Sequence, residues 1–581
     1  MYRKLSVVLI ALSAMMLMAV VGVPLVGAQD ANKDVYGRDL PENAAPYDQQ
    51  IYRWLSNAAA KQTSFSAVVT VYARIDGSDL FSDPLVNLDE NLNLIPGAAE
   101  SWEASADGLS WTFHLRPGQV WSDGTPLTAN DYVASYRFMV DPKNAYDFVW
   151  MWQKGSAGTI KGWDQAVAGE IPPDQIGMTA KDDNTLVIET EGPRPYAPAT
   201  FFFWAPLQAK ALAEHGPGYL LDPKTAVSSG PFMLKEFKPG ESVIEVANPT
   251  YNGYRKPYLK EIRGFYGAID TSFTAFQAHD IDRVTYENLS PADFEVISKD
   301  PVLSANYRPN FGDFRTDYLL FDTFNPPFND KNVRLAFAKA VDRDSIVKNV
   351  MGSQFAIPAY SFLAPGFPAS DSTGALKDIQ AYDCDAAKKL LADAGFADGK
   401  GFPAQELELR NENETHKAWF VAVAGSISQC LGVTITVNNM VQTDYMDKLL
   451  ARPTTLKFGA ISYGMDYLDP SNMLGVWVST GRHSWSNPEF DKLVADANVL
   501  VSDPAKRTQM YKDAEKILVE DVGGIFIDHR IQGDLFQPYV AGDCFRPDAQ
   551  GVGAWHWGND WCWGTLYITK EVADFKTFRS Q

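Results

Sequence analysis

The stretch of sequence that decides the fold reads Pro96-Gly-Ala-Ala-Glu-Ser-Trp-Glu-Ala-Ser-Ala-Asp-Gly-Leu-Ser-Trp-Thr-Phe-His-Leu-Arg-Pro-Gly-Gln-Val-Trp-Ser-Asp-Gly-Thr-Pro-Leu-Thr-Ala-Asn-Asp131. It contains an Asp-Gly turn at 107–108 and then, over residues 111–115, a strand that alternates apolar and polar side chains. This pattern is typical of a β-hairpin with one buried face. After a second turn, Thr128 stands three residues before Asp131, the spacing of an N-cap and its partner. The stretch therefore predicts a hairpin that leads into a helix.

The same stretch closely resembles the signature of the family 5 extracellular solute-binding proteins, the oligopeptide, dipeptide and nickel receptors of ABC importers. Five further segments resemble that family and follow in its order: Ser229-Gly-Pro-Phe-Met-Leu-Lys-Glu-Phe-Lys-Pro-Gly240, residues 325–344, residues 382–395, Asp466-Tyr-Leu-Asp-Pro470 and Ser486-Asn-Pro-Glu-Phe-Asp491. One departure is Ser-Ser-Gly at 228–230, where the family usually has Gly-Thr-Gly. The segments span most of the chain, so the chain is identified as a member of this family.

The resemblance implies an α/β, two-lobed periplasmic-binding-protein fold of the class II type, with an extra subdomain in the first lobe. We place lobe I at 49–90, 225–312 and 525–581, the extra subdomain at 91–224, and lobe II at 313–524. The chain then crosses between the lobes near residues 312 and 525. Two crossings form a hinge, which permits closure around a ligand.

Alternating strands and helices in the second half agree with an α/β lobe. Asp330 is an N-cap candidate, and the helix after it has apolar residues at i, i+4 and i+8. A strand at 405–409, a helix at 415–430 and a strand at 433–437 form a βαβ unit, which predicts a partly parallel sheet.

Size and charge exclude several classes of protein. A chain of 581 residues with 46% hydrophobic residues is globular and too long for one compact core. The formal net charge of -21 argues against nucleic acid and anionic membrane surfaces as partners, because both require basic patches. We expect a monomer without a cofactor, whose partners are a small-molecule or peptide ligand and the permease subunits of an ABC transporter.

The N-terminus indicates export. Arg3 and Lys4 precede a long apolar run, and Val26-Gly-Ala28 is a small-residue cleavage site, so residues 1–28 are predicted to be a signal peptide. The apolar run is long enough that an uncleaved membrane anchor is the alternative. No cysteine follows the cleavage site, so a lipid anchor is not supported. Residues 29–48 are polar and lack periodicity, which predicts a flexible leader.

Four cysteines, all in the second half, suggest two disulfides in an exported chain, and four cysteines allow three pairings. Cys384 opens one predicted helix and Cys430 closes the next, so we predict that these two are paired. The remaining pair is then Cys544 with Cys562. A metal site is not favoured, because there is no Cys-x-x-Cys pair and the seven histidines are scattered.

The candidate ligand site centres on Asp466. In the family's peptide binders an aspartate in a comparable Ala-Asp-Tyr context holds the peptide's α-ammonium group, and Asp466 occupies the matching place. A carboxylate in a closed, dry cleft gains far more from a cation than one on the surface. The alternative is that Asp466 only caps a local turn with Asp469 and Pro470.

Four other side chains are candidate ligand contacts. Tyr463 lies where relatives often place a large aromatic residue, and Tyr146 lies where relatives present a tyrosine from the extra subdomain. Trp477 and Arg482 follow in the next loop, where an arginine is suited to a ligand carboxylate. The alternatives are a core tryptophan and a solvated arginine.

Two alternative functions remain at this stage. The chain has 15 tryptophans, among them Trp555, Trp557, Trp561 and Trp563 near the C-terminus, and tryptophan faces stack well on sugars, so an oligosaccharide receptor of the same family is the second ligand hypothesis. A secreted hydrolase is the hypothesis from a different class, although the chain has no recognisable nucleophile elbow, zinc-protease helix or phosphate-binding loop. We predict capture of a peptide and not catalysis.

Overall fold

The structure is a computed structural model that describes residues 32–57, 62–89, 92–153, 160–410, 412, 414–545 and 560–571. The predicted signal peptide at 1–28 lies outside these residues. Within them, no helix is both long enough and apolar enough to cross a membrane.

The strands in the described residues are β1 (Ile51–Asn57), β2 (Val86–Leu88), β3 (Leu94–Pro96), β4 (Ala99–Ala104), β5 (Ser110–Leu115), β6 (Met178–Asp182), β7 (Thr185–Glu189), β8 (Phe232–Lys238), β9 (Ser242–Ala247), β10 (Glu261–Gly267), β11 (Arg283–Thr285), β12 (Tyr307–Asn310), β13 (Thr316–Phe321), β14 (Ala356–Pro358), β15 (Gln405–Arg410), β16 (Ile435–Met440), β17 (Phe458–Tyr463), β18 (Gly524–Arg530), β19 (Gln532–Phe536), β20 (Val540–Ala541) and β21 (Tyr567–Ile568). The α-helices are α1 (Ala129–Val140), α2 (Trp163–Val167), α3 (Ala209–His215), α4 (Ser272–Gln277), α5 (Pro291–Lys299), α6 (Pro301–Asn306), α7 (Lys331–Lys339), α8 (Arg343–Ile346), α9 (Lys377–Gln380), α10 (Cys384–Asp393), α11 (Glu414–Leu431), α12 (Gln442–Leu450), α13 (Pro470–Gly475), α14 (Pro488–Val499) and α15 (Pro504–Glu520).

Lobe I is built on two sheets. The first has the strand order β1-β10-β9-β8, with β1 parallel to β10 and the other pairs antiparallel. The second has the order β11-β19-β12, so the chain returns to lobe I in β19 after it has passed through lobe II. Tyr52, Ile262 and Tyr539 lie in the lobe I core and are fully buried.

The extra subdomain contains the predicted hairpin. Its sheet has the order β4-β5-β7-β6, and Trp102 pairs with Phe113 across the hairpin. Strand β5 buries every second side chain, as alternation predicts. The predicted N-cap is confirmed, because the Thr128 backbone N–H donates to Asp131 Oδ2 at 2.9 Å at the start of α1.

Lobe II is a six-stranded sheet with the order β14-β18-β13-β17-β15-β16. Strand β15 is parallel to both of its neighbours and is joined to β16 by α11, while the remaining pairs are antiparallel. The partly parallel sheet is therefore confirmed. Asp330 also caps α7 as predicted, since its carboxylate accepts a hydrogen bond from the Asn332 backbone at 2.8 Å.

The two crossings between the lobes run side by side near the sheets' ends. The first lies between β12 of lobe I and β13 of lobe II, over residues 311–315. The second lies at Ile531, between β18 and β19. The predicted crossing near residue 525 is a few residues early, because β18 pairs with both β13 and β14 and so belongs to the lobe II sheet.

The predicted flexible leader is wrong for residues 32–48. Asp34 is buried and Tyr36 donates its hydroxyl to the Asn248 carbonyl at 2.8 Å. Arg38 donates to the carbonyls of Lys256 and Pro257 at 2.9 and 3.0 Å. The segment is polar, yet it folds onto lobe I because its side chains bind backbone carbonyls there.

The predicted disulfide between Cys384 and Cys430 is confirmed and ties α10 to α11. The second predicted bridge is not formed in the structure. Cys544 and Cys562 are both buried in the lobe I core, in the short helical turns Asp543–Phe545 and Asp560–Gly564. Burial among apolar side chains is as natural for a thiol as for a small hydrophobic residue.

Candidate functional site

Asp466 lies in the loop between β17 and α13. Its Oδ2 accepts hydrogen bonds from the Tyr463 hydroxyl at 2.7 Å and from Asn472 Nδ2 at 3.0 Å. Its backbone N–H donates to Asn472 Oδ1 at 2.8 Å, so Asn472 holds both ends of the residue. The alternative was that Asp466 caps a local turn. The residue that caps the next helix is Asp469, whose carboxylate accepts a hydrogen bond from the Ser471 N–H at the start of α13. The neighbours of Asp466 therefore orient its carboxylate, and this carboxylate does not cap α13.

A cavity of about 290 Å³ opens at Asp466 and is lined by residues from both lobes and from the extra subdomain. Val71 comes from lobe I, Trp204 from the extra subdomain, Arg315 from the first crossing and Gln532 from the start of β19, next to the second crossing. A ligand in this cavity touches both lobes, which is the condition for a ligand to hold a closed state.

Gly464 brings the Asp466 loop against the first crossing. A Cβ atom at this position would meet the Asp313 carboxylate, so a larger residue here would require that side chain to move. The Met465 N–H donates to the Asp313 carbonyl at 2.7 Å and fixes the same contact. Asp313 is in turn ion-paired with Arg315.

Burial raises the pKa of the Asp466 carboxyl group above its ordinary value. The hydrogen bonds from Asn472 and Tyr463 lower this pKa, as do the positive charges of Arg482 and Arg315. Together they do not fully offset the effect of burial. A buried carboxylate whose charge is not fully stabilised by its neighbours binds a cation strongly, because the cation stabilises the charged form that burial disfavours.

Tyr463 and Arg482 lie together beside Asp466. The Arg482 guanidinium carbon is 4.4 Å from the centre of the Tyr463 ring, a cation–π contact. Both residues line a second cavity of about 500 Å³. The structure thus brings together Asp466, Tyr463 and Arg482, three of the five predicted contact residues.

Trp477 is a core residue, which corrects its predicted place in the cleft. It is fully buried and stacks on His483, with ring centroids 4.0 Å apart and ring planes at 10°. Tyr318 packs against it at 5.2 Å. Burial also lowers the pKa of His483 to about 3, so this histidine is neutral at physiological pH.

Tyr146 is likewise not placed as the predicted ligand contact. It is buried, donates its hydroxyl to the Ala67 carbonyl at 2.9 Å and accepts a hydrogen bond from Trp204 Nε1 at 2.6 Å. It is not among the residues that line the Asp466 cavity, whereas Trp204 is. Tyr146 therefore does not line the cavity itself but holds Trp204, which does, through a hydrogen bond.

Sequence reasoning missed Asn472, Trp204 and Arg315. Asn472 is six residues from Asp466, a spacing that carries no known ligand pattern, and it faces Asp466 only because α13 begins at Pro470. Trp204 and Arg315 are far from Asp466 in the sequence. Among the described residues, no group of three His, Cys, Asp or Glu side chains is placed to hold a metal ion.

Comparison with known proteins places this geometry in a family. The model of "Bacterial extracellular solute-binding proteins, family 5 Middle" matches residues 93–485. The chain is 30% identical over 474 residues to the periplasmic oligopeptide-binding protein OppA of Salmonella typhimurium, covering 80% of this chain and 84% of OppA. It is 28% identical over 517 residues to the probable deoxycholate-binding periplasmic protein YgiS of Escherichia coli, covering 87% of this chain and 93% of YgiS.

The fold is similar to that of solved relatives. The periplasmic murein tripeptide binding protein MppA in its unliganded open form superposes with a TM-score of 0.75 at 26% identity, covering 91% of this chain and 99% of MppA. A second structure, of Escherichia coli MppA, superposes with a TM-score of 0.65 at the same identity. The chain belongs to family 5 of the bacterial extracellular solute-binding proteins.

Proposed function

We propose that this protein captures a short peptide outside the cytoplasmic membrane and delivers it to the permease of an ABC transporter. The observation that carries the proposal is the Asp466 carboxylate in a cavity between the lobes. Tyr463 and Asn472 orient this carboxylate, and its negative charge is not fully stabilised by the groups around it. A peptide's α-ammonium group is the cation that such a carboxylate fits. The relatives named for oligopeptide and murein tripeptide binding support the same ligand class.

The proposed cycle is capture, closure and release. Ordering two lobes around a ligand is unfavourable in itself, so it must be offset by contacts that exist only in the closed state. Val71 and Trp204 on one side and Asp466 on the other supply such contacts. We propose that the protein is exported, acts as a monomer and leaves its ligand chemically unchanged.

Trp477 gives no support to the oligosaccharide alternative, because its ring lies in the core. Trp555 and Trp557 lie outside the described residues, and Trp563 packs edge-on against Tyr52 in lobe I, with ring centroids 5.7 Å apart. No described tryptophan near the C-terminus lines the Asp466 cavity. We therefore favour a peptide over a sugar.

Calorimetry on the purified mature protein tests this function. The ligands are peptides of two to five residues, cello-oligosaccharides, and deoxycholate, which has no ammonium group. We expect peptides to bind and mass spectrometry to recover them intact after long incubation. Binding of sugar or deoxycholate with no peptide binding would contradict the proposal, and recovery of cleaved peptide would indicate a hydrolase instead.

A further inference from the structure

Lobe I has a cavity of its own, with a volume of about 390 Å³. It lies where the end of β1 meets β11, so it spans the two sheets of lobe I. The described residues that line it all belong to lobe I, and none of them also lines the Asp466 cavity. We call this space the lobe I cavity. Its volume lies in the range of small-molecule sites.

Aromatic and aliphatic side chains form much of its wall. Trp54 and Trp563 are both partly buried, with ring centroids 6.2 Å apart and ring planes at 60°. Leu55, Ile269 and Val284 add aliphatic surface. Such a wall favours a ligand with an apolar body, because burying that body removes apolar surface from water. Tryptophan faces also attract cations.

The charges that line the cavity favour a cation. Asp76, Glu287 and Arg283 line it, and Arg283 is already ion-paired with Asp534, at 3.3 Å between Nε and Oδ1. Asp76 and Glu287 are exposed, which places them at the mouth of the cavity, and neither is ion-paired with another described residue. The Ser56 hydroxyl, a neutral donor, binds Asp76 Oδ2 at 2.5 Å. Both carboxylates are therefore open to a positively charged ligand.

The wall also holds a buried hydroxyl group that lacks a partner. Ser272 lines the cavity and is 1% exposed, and its Oγ makes no hydrogen bond to any described residue. Buried polar side chains in native proteins are nearly always paired, so this hydroxyl indicates a missing polar group. A hydroxyl oxygen can accept a hydrogen bond from an N–H group of a ligand.

A third carboxyl group lies directly behind the wall. Glu245 is fully buried, and neither of its carboxyl oxygens is hydrogen-bonded to a described residue. It packs against the lining residue Gly77, since a Cβ atom at Gly77 would lie 2.4 Å from Glu245 Oε1. Burial raises the pKa of Glu245, and the negative charges of Asp79 and Asp76 raise it further. A cation in the cavity would stabilise the charged form of this carboxyl group, whereas an anion would disfavour it.

We infer that the lobe I cavity binds a small organic cation, an ammonium group on an apolar body, at a site distinct from the Asp466 cavity. The apolar body packs against the two tryptophans and the aliphatic wall. The ammonium group donates to Ser272, and Asp76 and Glu287 balance its charge. The inference does not depend on the proposed function, because no described residue of the Asp466 cavity takes part.

Three probes with the same ring and stem test the charge: 2-phenylethylamine, 2-phenylethanol and 3-phenylpropionate. We expect calorimetry on the mature protein to show binding of the amine and about tenfold weaker binding of the alcohol, which keeps the apolar contacts but lacks the charge. The carboxylate should not bind. Equal affinity for the amine and the alcohol, or no binding of the amine, would overturn the inference.

Substitutions locate the amine. We expect Asp76→Asn and Glu287→Gln each to weaken amine binding by about three- to tenfold, and Asp466→Asn to leave it unchanged. Glu295→Gln is the matched control, because it removes an exposed lobe I carboxylate that is paired with Lys299 on α5. Circular dichroism checks that each variant is folded. Amine binding that is lost in Asp466→Asn and unchanged in Asp76→Asn would place the amine at the peptide site and overturn the inference.

A second titration tests whether the two sites are separate. The amine should bind protein that is saturated with Ala-Ala-Phe as tightly as it binds the free protein. Competition between the amine and this peptide would show one shared site and contradict a separate lobe I site. If the peptide binds and the amine does not, only the inference is wrong. If the amine binds as expected and no peptide binds, the inference stands and the proposed function is wrong.

Discussion

Tyr196 of the extra subdomain stacks on Tyr467 of lobe II, with ring centroids 5.6 Å apart and ring planes at 16°. Both rings are buried and belong to one core cluster that continues from the extra subdomain into lobe II. Arg507 lies over the outer face of this contact, 5.4 Å from the Tyr196 ring centre, and is paired with Asp469 through two hydrogen bonds of 2.6 and 2.8 Å. The stack therefore joins the extra subdomain to the loop that carries Asp466.

Replacing Tyr196 with alanine should destabilise the protein by about 3 to 5 kcal/mol, the usual range for truncating a buried aromatic side chain. Tyr196→Phe is the control, since it keeps the ring and the stack. We expect thermal unfolding to begin at a lower temperature in Tyr196→Ala and near the native temperature in Tyr196→Phe. Equal midpoints for all three proteins would show that the stack does not stabilise this junction.

Closure of the two lobes should be visible in solution. Within the described residues the chain passes between the lobes at 311–315 and at 531, and the structure superposes on MppA in its unliganded open form with a TM-score of 0.75. We expect small-angle X-ray scattering to show a smaller radius of gyration with saturating peptide than without it. An unchanged scattering profile at saturation would contradict hinge closure.

Local elements were predictable because their causes are local. The β5 strand follows from alternation around Trp111, Phe113 and Leu115, and the start of α1 follows from Thr128 and Asp131. The parallel β15 and β16 strands follow from the short strand, long helix and short strand between residues 405 and 440. In each case the spacing of apolar residues or the capping residue that determines the element lies within the segment itself.

The site was only partly predictable because its geometry depends on distant residues. Trp477 is buried by Tyr318, which is far away in the sequence, so an aromatic residue in a promising loop became part of the core. Residues 32–48 lack apolar periodicity, and the carbonyls that hold them belong to residues such as Asn248. Asp466 was found through the family pattern, whereas its partner Asn472 was not.

The disulfide between Cys384 and Cys430 should contribute to stability, because it closes a 46-residue separation and restricts the unfolded chain. We expect the double variant Cys384→Ser, Cys430→Ser to lose about 2 to 4 kcal/mol of stability. Reduced native protein should melt at the same lower temperature, which is the internal control. A non-reduced tryptic map without a joined Cys384 and Cys430 peptide would contradict the pairing.

Glu515 should make stability depend on pH. It is fully buried on α15, its Oε1 accepts from the Leu363 N–H at 2.7 Å, and burial is the largest cause that raises its pKa from 4.5 to about 8. Between these two values the folded protein holds a proton that the unfolded chain has lost. Raising the pH through this window therefore removes stability, at about 1.4 kcal/mol for each unit of pKa difference at most.

Thermal unfolding from pH 5 to 8.5 checks this prediction. We expect Glu515→Gln to gain stability relative to the native protein as the pH rises, because the variant has no proton to lose. Glu520→Gln on the same helix is the control, since that carboxylate is about half exposed. Parallel pH profiles for the native protein and Glu515→Gln would show that the carboxyl group titrates normally in the folded state.

The central claim is that the Asp466 carboxylate is the counter-ion of a peptide ammonium group. The most direct measurement is a double-mutant cycle by calorimetry, with native protein and Asp466→Asn against one peptide and its N-acetylated form. Asp313→Asn is the control, since Asp313 lines the same cavity but is already paired with Arg315.

The account predicts that Asp466→Asn weakens binding of the free peptide by about 2 to 5 kcal/mol, because it removes the charge opposite a buried ammonium. The same substitution should change binding of the acetylated peptide far less, so the two changes are strongly non-additive. Asp313→Asn should weaken both peptides to a similar extent. If acetylation weakens binding to the native protein and to Asp466→Asn by the same factor, Asp466 is not the counter-ion and the account is contradicted.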